Sequence, residues 1–402
     1  MEDYIQMGTA LIQQYGMSSI PNEILGRIFE LSCDRETKVH LKLAHVSRRF
    51  RSVARDHSQL WTHLSSSHSM SFTRLQLSLS KNCALDVSLI CSPMLVLNQW
   101  ECNCLEFARA IVPYCDKWQS FDFLASHHDE KCMQMHALLR DLHVPALRKF
   151  NTHKDHPLTL RELHNVMNDA LVAITWKMPG LQTLCGDDKL FDTGFRHAFH
   201  LKHLNIVTGY MPGLLMALQS TSVLQFLNTP SIFQDLEHLA IEIHRPLRGG
   251  APNEPKPGRV VFPRLRKFVL TSGYPSERSN GVGDLMQYLD MPNIEEMDFN
   301  VTAGGPGNDT YRGWLPWMCS QRYDRLTNVR VHVTPYRYVS CPEEYRRRVR
   351  EEIRDVLENH WREGGCETFG DVKLEIEFLR AVQAESAPMF PSTLAFTPGR
   401  SN

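Results

Sequence analysis

Cysteine and histidine residues, the usual ligands of zinc, are concentrated between residues 102 and 136. The stretch contains Cys102, Cys104, Cys115, His127, His128, Cys132 and His136. Structural zinc sites join two close Cys or His pairs around a defined loop, and this stretch has no Cys-x-x-Cys pair. Cys132 and His136 would share a helix face, as many core residues do. We therefore expect neither a metal site nor a cofactor.

Other residue patterns typical of catalysis are incomplete. The glycines at 304–307 lack the lysine and the following helix of a phosphate-binding loop. The chain has no Gly-x-Ser-x-Gly nucleophile elbow and no His-Glu-x-x-His helix. Carboxylate pairs occur at 187–188, 295–296 and 351–352. Nothing in the sequence indicates that these carboxylates face one another as a general acid and a general base. We expect a protein that is not an enzyme.

The composition is that of a globular protein, with 402 residues, 42% hydrophobic and 22% charged. Lys and Arg number 44 against 45 Asp and Glu, so no basic excess points to a nucleic-acid partner. Eleven scattered cysteines indicate reduced thiols, and hence the cytoplasm or the nucleus. Residues 1–16 lack the features of a signal peptide, and no stretch is apolar for long enough to predict a membrane span.

The elements that position any functional residue begin at Ser18. Pro21 and Glu23 suit the first turn of a helix, and apolar residues then recur at helical spacing from Ile24 to Leu31. A second periodic run starts at Leu41 and ends near Trp61. Because such short helices bury little surface alone, this module either caps the rest of the chain or binds a partner.

The same residues carry a resemblance to a known family. Residues 20–31, Ile-Pro-Asn-Glu-Ile-Leu-Gly-Arg-Ile-Phe-Glu-Leu, resemble the opening of an F-box, Leu-Pro-x-Glu-Ile-Leu-x-x-Ile-Phe. Residues 43–54 resemble its second half, and Leu60-Trp61 resembles its end. Ile20 replaces the more usual leucine and keeps an aliphatic contact. The resemblance covers residues 18–64.

The resemblance implies a partner, because F-boxes dock on the Skp-type adaptor of cullin–RING ubiquitin ligases. It also implies an adaptor-binding set of Ile20, Pro21, Ile24, Leu25, Ile28, Phe29, Val46 and Trp61. In this helix-in-groove mode a few buried anchors dominate the energy. Leu25 and Phe29 are four apart and share one helix face, which we expect to be partly exposed in the free chain.

Beyond Met70 an apolar motif recurs at irregular intervals. Its anchors are Leu147, Leu181, Leu201, Leu236, Leu265, Ile294, Val329 and Val372, separated by 34, 20, 35, 29, 29, 35 and 43 residues. Each leads into an alternating stretch such as 268–271, where we expect Phe268 and Leu270 to point inward. Helical patterns lie between the strands at 160–175, 213–227 and 283–289. The spacing predicts strand–helix repeat units.

We therefore predict a mixed α/β chain in which a three-helix F-box precedes an irregular array resembling leucine-rich repeats. The array resembles the degenerate repeats found behind F-boxes of the fungal branch of the family, although the consensus Asn or Cys position is not recognisable in most units. An ordinary α/β domain with apolar strand anchors is the alternative. The predicted domains are an N-terminal extension (1–17), the F-box (18–64), the array (65–385) and a flexible tail (386–402).

Three further segments carry predictions. Alternating Leu75, Leu77 and Leu79 predict a strand, beside a second strand at 85–89. Residues 342–363 predict an amphipathic helix, with six Arg against seven acids on a salt-bridged face, that covers the open end of the array. The Pro- and Gly-rich stretches at 249–258 and 303–308 predict loops.

Three functions are compatible with these patterns. The leading one is a substrate-recognition subunit of an SCF-type cullin–RING ubiquitin ligase that presents an unidentified protein substrate on the array. An F-box scaffold that binds the adaptor or a ligand without delivering substrates is the second. A metal-dependent enzyme seated in the Cys/His stretch is the third.

Overall fold

The computed structural model describes a helical N-terminal module joined to a long parallel sheet. The residues that it describes are 20–32, 39–91, 103–125, 130–152, 175–187, 200–208, 233–243, 259–272, 288–303, 323, 325–335, 343–363 and 373–378. The predicted helices at 160–175 (except Thr175), 213–227 and 283–289 (up to 287), the loops at 249–258 and 304–308, and both termini lie outside the described residues.

Seven α-helices fall within the described residues. They are α1 (Asn22–Ser32), α2 (Val39–Val46), α3 (Arg48–Asp56), α4 (Met70–Ser80), α5 (Cys104–Ile111), α6 (Glu130–Leu138) and α7 (Glu343–Glu363). Short 3-10 helices occupy Ser58–Trp61 and Val112–Lys117. None of the helices in the described part of the chain is both long and apolar enough to cross a membrane.

One parallel sheet of eleven strands runs through the described part of the chain. The strands are β1 (His63–Ser65), β2 (Leu85–Cys91), β3 (Trp118–Ala125), β4 (Lys149–Asn151), β5 (Thr183–Asp187), β6 (His203–Thr208), β7 (His238–Ile243), β9 (Lys267–Ser272), β11 (Glu296–Ala303), β12 (Asn328–Pro335) and β13 (Lys373–Phe378). The short strands β8 (Val260–Val261) and β10 (Leu289–Asp290) pair separately. Because each strand of the main sheet lies beside its predecessor in the chain, the order is that of a solenoid and not of a doubly wound sheet.

The inner face of the sheet is an unbroken apolar row. In register across the strands lie Leu64, Val87, Phe121, Phe150, Leu184, Leu204, Leu239, Phe268, Met297, Val329 and Leu374. All except the half-buried Leu374 are buried in one core cluster. Phe268 and Leu270 point inward while Val269 and Thr271 do not, as the alternation predicts.

Six of the described strands, β4, β5, β7, β9, β11 and β12, are entered through the same turn. The backbone N–H of Leu265 donates to the carbonyl of Phe262 at 3.4 Å, and Ile294 donates to Met291 at 3.3 Å. Proline follows the acceptor in both turns, a position that its fixed φ favours. Leu236, Leu265 and Ile294 have no exposed surface, so their prediction as buried anchors is confirmed.

The anchor predicted at Val329 was wrong by three residues, and the last predicted anchor, Val372, lies outside the described residues. Leu326, whose N–H donates to Tyr323 at 3.4 Å, makes the anchoring turn, whereas Val329 pairs with Met297 inside the strand. Both positions are buried and apolar. The sequence pattern alone therefore could not distinguish the anchor from the strand residue that follows it.

Two further predictions are corrected. Residues 70–80 form helix α4 and not a strand; Leu77 packs against the sheet core and Leu79 against the N-terminal core. Helix α7 exists as predicted, but it connects β12 to β13 and does not cover the end of the array. Its Val349 is fully buried in the sheet core. In both cases the helix packs along the array, which local patterning does not reveal.

Candidate adaptor surface and outer strand face

The helices α1 to α3 and the following 3-10 helix enclose a small core of their own. Its buried members are Ile20, Leu25, Phe29, Phe50, Val53, Ala54, Leu60 and Trp61. The rings of Phe29 and Phe50 lie 5.0 Å apart. Helix α1 begins where the N–H of Leu25 donates to the carbonyl of Pro21 at 3.0 Å, with Glu23 at the positive end of the helix dipole.

Polar contacts fix the angle between α1 and α3. The Oγ of Ser47 caps α3 by accepting from the N–H of Phe50 at 3.1 Å. Arg49, in the first turn of α3, donates to the Ile20 carbonyl and, at 3.0 Å, to Oδ1 of Asn22. These bonds hold the start of α1 against α3. Of the arginines at the start of α3, Arg49 is thus engaged in hydrogen bonds inside the module.

A second polar contact closes the other end of α1. Glu30 accepts from Arg27 at 2.5 Å and lies 3.4 Å from Nε2 of His57. Burial raises the pKa of Glu30, but the hydrogen bonds from Arg27 and His57 outweigh it, so the net pKa is lowered. Gly26 lets the His57 ring approach α1 closely, because a Cβ there would lie 2.8 Å from its Nδ1 and the ring would have to shift. Glu30 and Gly26 therefore position the His57 ring against α1.

The structure divides the predicted adaptor-binding residues into two groups. Four of them, Ile20, Leu25, Phe29 and Trp61, are at most 2% exposed. The expectation that the Leu25–Phe29 face is partly exposed is wrong, because both side chains form the module's own core. Apolar periodicity identifies a buried helix face but does not say whether the module or its partner buries it.

The other predicted residues lie at the surface. Pro21 is exposed, Ile24 and Ile28 are half-buried, and Val46 is 64% exposed. Pro21, Ile24 and Ile28 are three and four apart, so they share one side of α1. Val46 ends α2, whose Leu41 and Leu43 are also only half-buried. This set, Pro21, Ile24, Ile28 and Val46, is called the adaptor surface below.

Helix α4 joins the N-terminal module to the sheet. Trp61 donates Nε1–H to the Ala54 carbonyl at 2.7 Å, and its ring contacts Phe72 of α4. Gln76 of α4 donates to the His63 carbonyl in β1 at 2.7 Å, and its buried Oε1 lies 3.3 Å from His68. The module and the first strands therefore share one packed junction.

The face of the sheet opposite the apolar core is mostly polar. One register row contains Ser65, Ser88, Asp122, Asn151, Cys185, Asn205, Ala240, Val269, Asp298, Arg330 and Glu375. The row before it contains His63, Asp86, Ser120, Lys149, Thr183, His203, His238, Lys267, Glu296, Asn328 and Lys373. A third row, on β6 to β13, contains Val207, Glu242, Thr271, Asn300, His332 and Glu377. These three rows are called the outer face.

A closed ion-pair network occupies the outer face on β9, β11 and β12. Lys267 Nζ lies 3.0 Å from Asp298 and 3.4 Å from Glu296. Arg330 lies 2.9 Å from Asp298 and 2.8 Å from Glu296. The Asp298 side chain is 13% exposed, so this network is shielded from water more than an ordinary surface pair. Its two cations and two carboxylates neutralise one another.

The Cys/His stretch is not gathered into a metal centre where it is described. Within the described residues no group of three Cys, His, Asp or Glu side chains is arranged to hold a metal ion. The Sγ of Cys104 contacts the Ile90 carbonyl at 3.4 Å, and that of Cys115 contacts the His143 carbonyl at 3.6 Å. Burial, followed by the charge of Asp116, raises the pKa of Cys115. Cys102, His127 and His128 lie outside the described residues.

Comparison with known proteins identifies the N-terminal module. A family model of F-box-like domains matches residues 17–67, the segment that contains the adaptor surface and its core. No curated protein matches the chain. F-box domains typically bind Skp-type adaptors. Residues 17–67 are thus similar to F-box-like domains, and the described strands that follow them form a parallel array.

Proposed function

We propose that this protein is a substrate-recognition subunit of an SCF-type cullin–RING ubiquitin ligase. The F-box-like domain binds the Skp-type adaptor, and the outer face of the array, which is leucine-rich-repeat-like, binds a protein substrate. The protein has no catalytic step of its own and works in the cytoplasm or the nucleus. The F-box-like match at residues 17–67 carries this proposal.

The adaptor surface supports the first half of the proposal. Val46 is 64% exposed, the largest exposed fraction, shared with Met133, among the large hydrophobic side chains of the described residues. An exposed valine close to a half-buried apolar rim is typical of an anchor that a partner covers. Within the module itself the buried core is already complete without Val46. The side chain is therefore free to contribute to binding.

The array supports the second half of the proposal. Repeat solenoids use their extended strand faces to bind macromolecules, since loops and helices are packed on the other side. The outer face is mostly polar from β1 to β13, apart from Val207, Ala240 and Val269, whereas the buried apolar row points the other way. A polar, continuous face fits a protein partner better than a small apolar ligand, which prefers a concave apolar pocket.

The test is capture of the Skp-type adaptor by the full chain carrying Val46→Asp. In a complex the new carboxylate would be desolvated without a partner, so capture should be lost. Val261→Asp is the matched control: Val261 is 52% exposed on β8, outside the F-box-like domain, and capture should persist. Equal thermal melting of both variants and the unsubstituted chain excludes unfolding. Capture by Val46→Asp at the unsubstituted level would contradict the proposed surface.

A second measurement separates a substrate receptor from an F-box scaffold. A protein captured on the array should be ubiquitinated in a reconstituted ligase containing the cullin–RING core. The reaction should stop when Val46→Asp replaces the unsubstituted chain. Binding without ubiquitin transfer would instead favour a scaffold that delivers nothing.

A further inference from the structure

One row of residues runs along the sheet near the amino-terminal ends of the strands from β3 to β12. Each residue after the first donates its backbone N–H to the carbonyl of the residue before it in the row, at 2.8 or 2.9 Å. The row contains Gln119, Arg148, Gln182, Lys202, Glu237, Arg266, Glu295 and Thr327. This set is called the edge row below. It places side chains of successive repeats side by side.

The cations of the edge row differ in their neighbours. Lys202 and Arg266 lie 3.3 and 3.9 Å from the carboxylate that follows each of them in the row. Arg148 instead lies between two glutamines. Its side chain is exposed and has no ion pair or hydrogen bond within the described residues. Because a guanidinium is always protonated, the edge row has a positive charge here that no described side chain neutralises.

A groove with a volume of about 420 Å³ opens beside Arg148. Arg148 and the two glutamines of the edge row line it, together with the small residues Ala84, Ala146 and Gly180. Each of these small residues directly precedes a buried leucine. The groove therefore lies where the chain turns into β2, β4 and β5.

The later turns have long side chains at the same position. The residues before the next anchors are His200, Asp235 and Arg264, and Asp235 lies 3.0 Å from Nδ1 of His200 and 2.5 Å from Nη1 of Arg264. A Cβ on Gly180 would lie 2.8 Å from the carbonyl oxygen of Pro145. The earlier turns thus leave open a space that paired side chains occupy in the later ones.

The backbone of β3 is irregular beside the groove. Leu85 pairs with Trp118 and Asp86 pairs with Ser120, so Gln119 is the extra residue of a bulge. Bulges redirect side chains and are frequent next to functional sites. The irregularity is a second feature of the first repeats that coincides with the groove.

The polar groups of the groove fit an acidic peptide. The guanidinium of Arg148 can donate two parallel hydrogen bonds to one carboxylate. Gln119 is exposed and Gln182 is half-buried, and neither side-chain amide has a hydrogen bond within the described residues. An amide both donates and accepts, as a peptide group does. Neighbouring strands are about 4.8 Å apart, so the glutamines are roughly 10 Å apart, the length of about three extended residues.

We propose that this groove binds an extended protein segment through one Asp or Glu side chain. The carboxylate contacts Arg148, and the backbone on either side of it contacts Gln119 and Gln182. One guanidinium matches the single charge of a carboxylate. The groove belongs neither to the outer face nor to the adaptor surface, so this inference goes beyond the proposed function and does not depend on it.

The test measures capture of fluorescent peptides by the immobilised full chain. Three synthetic libraries of short random peptides differ only in a fixed central glutamate, glutamine or phosphoserine. The glutamate library should be captured about tenfold or more strongly than the glutamine library, because charge-assisted hydrogen bonds are lost with glutamine. Arg148→Gln should remove this difference. Arg148→Lys, which keeps the charge but not the planar fork, should give an intermediate result.

Arg266→Gln is the matched control, because Arg266 lies in the same edge row but faces Glu295. It should leave capture unchanged, with all variants melting alike. Ala84→Glu, at an exposed position of the groove, offers Arg148 an internal carboxylate and should lower capture of the glutamate library. If Arg148→Gln fails to fold, the Ala84→Glu result decides.

Three outcomes would overturn the inference. They are equal capture of the glutamate and glutamine libraries, stronger capture of the phosphoserine library than of the glutamate library, and equal loss of capture in Arg266→Gln. Adaptor capture measured on the same samples tests the proposed function separately, since it depends on Val46 and not on Arg148.

Discussion

The ring of Trp61 meets the ring of Phe72 edge-on, with their centroids 6.4 Å apart. Trp61 ends the F-box-like core, and Phe72 belongs to α4, which also packs on the sheet core through Met70 and Leu77. The contact joins the two cores. Helix α4 therefore packs against both cores.

Phe72→Ala tests this connection. The loss of a half-buried aromatic ring should lower the free energy of unfolding by about 1–3 kcal/mol. Amide exchange should accelerate both in residues 48–61 and in β1, because the junction is shared. Phe72→Leu, which keeps most of the apolar volume, should show a smaller change. Unchanged exchange in residues 48–61 would mean that the F-box-like core is independent of α4.

The repeat core gives a second prediction. Leu265 has no exposed surface, so Leu265→Ala should lower the free energy of unfolding by about 2–5 kcal/mol through lost transfer energy and a cavity. Val261→Ala, at a nearby position that is 52% exposed, should change it by less than about 0.5 kcal/mol. Chemical denaturation measures both. Similar costs at the two positions would contradict the assignment of Leu265 as an anchor.

Two ion pairs of different exposure give a third prediction. Asp298→Ala leaves Lys267 and Arg330 facing each other on a shielded face, and should cost about 1.5–3 kcal/mol. Lys202→Ala breaks the 3.3 Å pair with Glu237, in which both side chains are more than 40% exposed, and should cost at most about 1 kcal/mol. Denaturation at low and high salt checks this ranking. A larger effect at Lys202 would contradict it.

His238 gives a pH-dependent prediction. Burial, followed by the charges of His203 and Lys267, lowers its pKa in the folded chain. The unfolded residue takes up its proton near pH 6.5, before the folded residue does. Stability should therefore fall as the pH drops through and below about 6.5, by at most about 1.4 kcal/mol per pH unit. His238→Asn should flatten the curve of unfolding free energy against pH by this contribution; an unchanged slope would contradict the assignment.

The strand positions were predictable from the sequence because the repeat motif combines two independent signals. A proline-containing turn precedes the anchor, and alternating apolar residues such as Phe268 and Leu270 follow it. The proline is missing before Leu326 and also before Leu236; the alignment slipped to Val329 at the first position and was correct at the second. The error arose because strand residues and anchors are equally apolar.

The misread helix has a different cause. Leu75, Leu77 and Leu79 alternate in sequence, but helix α4 lies between two cores. A helix turns about 100° per residue, so Leu77 points almost opposite to Leu75 and Leu79. Two-sided burial of a helix produces the same alternation as a half-buried strand. Tertiary contacts, which a local pattern does not contain, decide between them.

The F-box-like signature was recognisable in the sequence, but the exposure of its residues was not. Leu25 and Phe29 follow the helical period because they fill the module's core, whereas Val46 follows no strong pattern. The outer face was also missed, because its polar residues are ordinary surface types in sequence. Only the register brings Ser88 beside Asp122.

The sequential strand order also determines how the protein can change in length. Each main-sheet strand between β1 and β13 pairs with its predecessor and its successor. The backbone carbonyl of Arg266 accepts a hydrogen bond from the next unit, just as that of Glu237 accepts one from Arg266. The segment from Leu265 to the residue before Ile294 is one complete unit. Gain or loss of such a unit preserves the pairing geometry at the new boundary. The array can therefore lengthen or shorten by whole modules while the F-box-like domain stays the same.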